Sequence, residues 1–193
     1  HPGLRLVMTE QPGVWWPYLL NEMDSIHLLM KEQGNDIPSF DYPARRVGSA
    51  PFAQKLPTLP RRPSDYFREN VFVGASFLAH FEAEAALAED MVSNIMWGSD
   101  YPHQEGTWQY REDEMSVTKV ALQHTFFELP GDAVRMMAGE NAARCYGLDI
   151  DELARVAEAI AAPTLQDLAE RPADLPSIDW WGGYAFRRMG PWS

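Results

Sequence analysis

Asp100 follows a short apolar run, Asn94-Ile95-Met96-Trp97-Gly98, separated from it only by Ser99. Such a run reads as a buried parallel strand, and ligand sites in α/β folds form where those strands end. A carboxylate held there can bind a divalent cation or accept a proton from water. His103, three residues on, is placed to line the same mouth as ligand, acid or substrate contact, and Glu105 and Trp108 continue the segment as a pocket wall. Glu10 ends the apolar run Leu4-Arg5-Leu6-Val7-Met8-Thr9 much as Asp100 ends the other. In a parallel sheet the two carboxylates share one rim, which suits metal binding or general acid/base chemistry. His80, shortly after the run Val71–Ser76, is placed at that rim as a further substrate contact.

Each of these residues also has a plainer reading. Asp100 could cap a turn before Pro102, His103 could pack between Tyr101 and Trp108, and Glu10 and His80 could be ordinary residues beside turns. His27 and His124 fall inside amphipathic helical patterns and read as structural. Cys145 has no activating partner in the sequence, so nothing marks it as a nucleophile. No glycine-rich phosphate loop, Gly-x-Ser-x-Gly elbow or His-Glu-x-x-His motif is present, which weakens nucleotide, serine-hydrolase and zinc-peptidase readings.

The elements that must carry these residues alternate. After the first strand and its breaker Gln11-Pro12-Gly13, apolar residues at three- and four-residue steps from Val14 to about Gln33 predict an amphipathic helix with Pro17 in its first turn. Residues 34–60 hold seven prolines and glycines at a density that predicts a long loop. Ser64 reads as the N-cap of a short segment, Asp65 to Arg68, before the second strand, Val71–Ser76. Helices are then predicted over Glu82–Val92, Asp113–Leu129, Pro130 to Tyr146 and Asp151–Ala162, with the Asp100 strand after the first of them. Gly147 is a natural C-cap, and Asn141 and Arg144 are placed to hydrogen-bond to neighbouring strand ends. Parallel strands with helical crossovers, the α/β class, follow from that order. Three strands do not close a barrel, so a partial barrel is the consistent architecture.

Composition narrows the function classes. The 193 residues are 46% hydrophobic and 23% charged, enough to bury a core, and the net charge of −12 argues against a nucleic-acid footprint. The longest uncharged apolar run, Pro12–Leu20, is short for a membrane helix, so no membrane partner is expected. A lone Cys145 excludes an intrachain disulfide and a thiolate-rich zinc site, and a cytoplasmic location is expected. The chain opens His-Pro-Gly without Met and runs straight into a strand, as expected of a piece of something longer. The aromatic segment Trp180–Phe186 with Trp192 is expected to clamp onto a groove or a second subunit.

The segment Asn94–Trp108, containing Trp97-Gly98-Ser99-Asp100-Tyr101-Pro102-His103, resembles the last-strand motif of the amidohydrolase-related family, in the branch of aminocarboxymuconate-semialdehyde decarboxylase-like enzymes. Leu4–Leu20 is similar to that family's sixth strand and following helix, and Gly139–Gly147 to its closing helix, so the resemblance covers roughly residues 1–150. It implies the C-terminal part, about strands six to eight, of a metal-dependent TIM (β/α)₈ barrel over residues 1–150, with a helical and aromatic extension over 151–193. It further implies a divalent metal, zinc or else manganese, bound by a His-x-His pair on the first strand, a His on the fifth and the last-strand Asp, here Asp100. Glu10 occupies the sixth-strand position where many members carry a catalytic His, and the other His ligands have no counterpart in this chain.

The expected function is therefore a metal-dependent hydrolase or decarboxylase acting on a small carboxylated or cyclic substrate. Asp100 is expected to be metal ligand and proton acceptor, Glu10 a second catalytic carboxylate, and His103, Trp108 and His80 substrate contacts. The expected partners are a second copy of the chain or the N-terminal half of the same protein. The alternative is a non-catalytic barrel remnant serving as a binding or oligomerisation module, its open strand edges covered by another chain.

Overall fold

The computed structural model describes residues 3–11, 13–32, 59–76, 78–103, 106–107 and 116–172. Three short strands, β1 (Leu6–Thr9), β2 (Val71–Ser76) and β3 (Ile95–Gly98), form one sheet in the order β1-β2-β3. Both pairings are parallel, with Thr9 opposite Gly74 and Ser76 opposite Gly98, so the C-terminal ends of all three strands lie along one rim. Helices separate the strands in the chain: α1 (Trp16–Glu32) and α2 (Pro63–Asn70) lie between β1 and β2, and α3 (His80–Ala88) lies between β2 and β3. Beyond β3 come α4 (Val117–Phe126), α5 (Gly131–Arg135), α6 (Asn141–Tyr146), α7 (Ile150–Ala159) and α8 (Leu165–Ala169). The expected α/β class with parallel strands is what the described residues form.

The chain divides into two compact units, one of His1–Val14 with Asn70–Ser193 and one of Trp15–Glu69. In the first, Phe72 and Met96 of the sheet pack with Cys145 of α6, and Val7 and Ala142 flank them. The small residues Ala83 and Ala86 are fully buried on α3, which is why its Ala-rich composition suits a close-packed position. In the second unit, the Asp24 carboxylate of α1 accepts the Ser64 backbone N–H at 2.9 Å and its hydroxyl at 2.6 Å. Ser64 therefore lies inside α2, which starts at Pro63, and its hydroxyl serves Asp24 rather than capping its own helix. Trp15 meets the edge of Phe67 within the same unit.

Several boundaries differ from the sequence expectation for physical reasons. Helix α3 starts at His80 because Glu82 reaches back to the Ala79 N–H, and it stops at Ala88 just before Asp90, which adopts a left-handed backbone. The stretch from Gly131 to Tyr146 is interrupted by a π turn, Met136–Glu140, in which the Asn141 N–H donates to the Met136 carbonyl. That turn absorbs an extra residue and so shifts the phase of everything after it by about 100°. Gly147 ends α6 with φ +70, the left-handed C-cap expected of it. The five-residue α8 was not foreseen; Thr164 caps it by accepting the Asp167 N–H, while the Asp167 carboxylate accepts the Thr164 N–H and hydroxyl. The expected loop over residues 34–60 and the aromatic C-terminal clamp lie largely or wholly outside the described residues.

Asp167 also receives the Lys119 ammonium of α4 at 2.7 Å, which ties α8 to the core. The hydrogen bonds from Lys119 and Thr164 hold its carboxyl well below the usual carboxylate range. A depressed carboxyl stabilises the fold fully above about pH 4, where a free Asp is ionised, and loses that contribution as the pH falls through and below it. Asp167→Asn is expected to lower the urea midpoint at pH 6, with the difference from wild type shrinking towards pH 2. A difference that persists undiminished at low pH contradicts this assignment.

Candidate metal centre

The residue after β1 and the second residue after β3 both turn sharply. Glu10 has φ +53 and Asp100 has φ +60, left-handed conformations that residues other than Gly rarely adopt. Strands β1 and β3 are separated by β2, which places them about 9–10 Å apart. The end of the intervening strand, Gly74-Ala75-Ser76, carries little side-chain bulk. Side chains from the two flanking strand ends can therefore converge above β2. One ligand atom each from Glu10, Asp100 and His103 lies within 4.8 Å of the others.

Local hydrogen bonds fix the segment that carries two of the three. The His103 N–H donates to the Asp100 carbonyl at 2.8 Å, and the Thr107 N–H donates to the Ser99 carbonyl at 2.9 Å. The Thr118 hydroxyl on α4 then donates to the Thr107 carbonyl at 2.7 Å, anchoring the loop to a helix. His103 Nδ1 stands 3.2 Å from Asp100 Oδ2. The Asp100 side chain is only 7% exposed whereas that of His103 is 53% exposed, so the pair runs from a sheltered carboxylate out to solvent. Two carboxylates and an imidazole are a donor set suited to zinc or manganese, and the distances are short enough for one cation to touch all three.

The structure brings together Glu10, Asp100 and His103, and His80 is not part of that cluster. The His80 ring stacks on Phe127 with centroids 3.8 Å apart, its Nδ1 lies 3.0 Å from the Thr125 carbonyl, and its Nε2 lies 3.5 Å from Glu84. These contacts give it a packing role at the start of α3. Trp108 and Glu105 lie outside the described residues. His27 and His124 are buried within α1 and α4, as expected of structural histidines. Cys145 is buried and free, and burial pushes its thiol above the usual range, which keeps it protonated and unreactive. Asn141 and Arg144 do hold strand ends: Asn141 Nδ2 donates to the Val92 and Ile95 carbonyls, and Arg144 donates to the Ser93 carbonyl while lying over the Phe72 ring.

Sequence reasoning passed over the residues that hold the rim loops. Thr125 donates its hydroxyl to the Leu78 carbonyl after β2, Thr118 anchors the loop after β3, and the buried Glu82 reaches the loop after β1. The available signal was an acidic residue in the first turn of α3, three residues after Ala79.

Among solved structures, the chain is similar to 5-carboxyvanillate decarboxylase LigW from Sphingomonas paucimobilis, with 24% identity, a TM-score of 0.49, and coverage of 77% of this chain and 35% of that one. It is also similar to Metarhizium anisopliae IDCase in apo form, with 20% identity, a TM-score of 0.44, and coverage of 75% and 34%. The chain thus spans about a third of the length of these two structures. No curated protein matches it. The amidohydrolase family profile matches residues 1–148, the stretch that carries the sheet, Glu10, Asp100 and His103, and the chain belongs to the amidohydrolase family.

Proposed function

We propose that this chain is the C-terminal portion, about strands six to eight, of a metal-dependent (β/α)₈ enzyme that hydrolyses or decarboxylates a small carboxylated or cyclic organic substrate. The observation that carries the reading is the convergence of Glu10, Asp100 and His103 at the C-terminal rim of a parallel sheet, in a chain of the amidohydrolase family. Parallel strands that neighbour one another in chain order, with helices between them, support the barrel segment. A divalent cation, zinc or manganese, held by Asp100 with Glu10 and His103, would supply Lewis-acid polarisation of a substrate oxygen.

The chain's own groups divide the remaining work. Asp100 is the sheltered carboxylate and serves as proton acceptor, while His103, 3.2 Å from it and open to solvent, completes the donor set at the mouth of the site. Glu10 supplies the second acid/base group, and His103 and Trp108 contact the substrate. Among the described residues β1 and β3 each pair on one side only, and parallel edges of this kind are normally covered. We assign that cover to the N-terminal half of the same protein or to a second copy, and place the enzyme in the cytoplasm.

The test is turnover by the complete protein. With zinc or manganese restored after chelation, it is expected to release CO₂ from a small aromatic or unsaturated carboxylic acid, or to hydrolyse a cyclic amide or ester, and to lose that activity on removal of the cation. Turnover that survives exhaustive chelation contradicts the reading.

A further inference from the structure

Glu82 is a buried carboxylate outside the Glu10, Asp100 and His103 cluster. It stands in the first turn of α3, where a negative charge complements the exposed N–H groups of the helix end. Its Oε2 accepts the Ala79 N–H at 2.6 Å, closing that end of the helix. Its Oε1 accepts the N–H of Gly13, 69 residues away in the chain. Capping α3 uses one oxygen, and the other is committed to the loop after β1. The two oxygens therefore tie the loop after β2 to the loop that carries Glu10.

That loop needs holding. Glu10 has φ +53 and Gly13 has φ +94, and a glutamate in the left-handed region persists only where its surroundings fix it. On the strand side the loop is pinned by the Thr9–Gly74 pairing and by the Gln11 N–H, which lies 3.5 Å from the Gly74 carbonyl. On the far side the described anchor is Gly13 on Glu82. We propose that Glu82 is a positioning residue for Glu10: through Gly13 it holds the segment after β1 so that the Glu10 carboxylate meets Asp100 and His103 at cation-binding distance. The inference rests on the cation site of the proposed function.

The Glu82→Gln variant separates the two jobs of the side chain. A glutamine has one acceptor oxygen for these two N–H groups, so one of Ala79 and Gly13 must face an NH₂ group, donor against donor, and the paired tie between the two loops is broken whichever way the amide turns. The affinity of the full chain for Mn²⁺, measured by isothermal titration, is expected to fall about 10-fold, as for other residues that orient a ligand from behind. In a Glu10→Gln background the same substitution is expected to change the affinity less than about twofold, because the group it positions is already lost. An equal loss in both backgrounds would make Glu82 merely structural and overturn the inference. So would an unchanged affinity in Glu82→Gln when the wild type binds. A wild type that binds no cation overturns the functional reading and the inference with it. If Glu82→Gln does not fold, amide exchange in the wild type decides: the Gly13 N–H is expected to exchange at least about 10-fold more slowly than in a free chain, and free-chain exchange overturns the proposal.

Discussion

Replacing Asp100 by Asn is expected to weaken divalent-cation binding by the chain about 100-fold or more, and to abolish cation-dependent turnover in the complete protein, with almost no loss of folding stability. The binding loss follows from charge. Asp100 is the most sheltered of the three donors, with a side chain only 7% exposed, so its attraction for a cation is the least screened by water. Asn offers a neutral oxygen of the same reach, which preserves shape and removes that attraction. Folding is spared because the backbone bonds at this position are kept and an Asn oxygen can still accept from His103 Nδ1. The Asp100 carbonyl accepts the His103 N–H, and the φ of +60 is one that Asn adopts readily. Titration calorimetry with Mn²⁺ and Zn²⁺ alongside thermal melting reads both halves of the prediction. An unchanged dissociation constant, or a collapsed melting transition, contradicts it.

The largest effect on stability is expected at Asn141, at the opposite end of β3. Its side chain is 2% exposed, and its Nδ2 donates to the Val92 and Ile95 carbonyls, each at 2.7 Å. Both donors of one amide are thus spent on backbone acceptors that lead into the strand. Asn94 makes a parallel link, its Nδ2 donating to the Val71 carbonyl at 2.8 Å, so the N-terminal ends of β2 and β3 are fastened by amide side chains. Asn141→Ala leaves one buried and one part-buried carbonyl without these donors, at about 1–3 kcal/mol each, so about 2–6 kcal/mol of destabilisation is expected. Against the roughly 5–15 kcal/mol of a typical domain this is a large fraction. Urea unfolding is expected to show a lowered midpoint at an unchanged slope. A loss below about 1 kcal/mol would mean that these two hydrogen bonds do not hold the strand.

The three strands were legible because each is a short apolar run closed by a breaker or a turn, and a buried parallel strand requires little more. Their common direction puts Glu10 and Asp100 on one rim, and the place of His103 follows from its spacing to Asp100. The π turn at Met136–Glu140 was not legible, since apolar periodicity carries no mark of a single widened turn, yet that turn sets the phase from which Asn141 reaches β3. Helix α8 was missed because five residues give too short a pattern; a cap and an ion pair, rather than an apolar stripe, define it. Glu82 was missed for a different reason. An acid in an Ala-rich helix reads as a solvated surface group, and its partner Gly13 is distant in sequence. His80, placed shortly after a strand end by the sequence, has its ring stacked on Phe127 with Nδ1 beside the Thr125 carbonyl, contacts that no local pattern announces.

The central claim, that Glu10, Asp100 and His103 together hold one divalent cation, is most directly tested by elemental analysis of the purified chain. The chain would first be equilibrated with zinc or manganese and then desalted, at a known oligomeric state, in parallel with Asp100→Ala. The account predicts about one equivalent of metal per chain in the wild type and its disappearance in the variant. Metal-free wild type, or metal retained in full by Asp100→Ala, would contradict it.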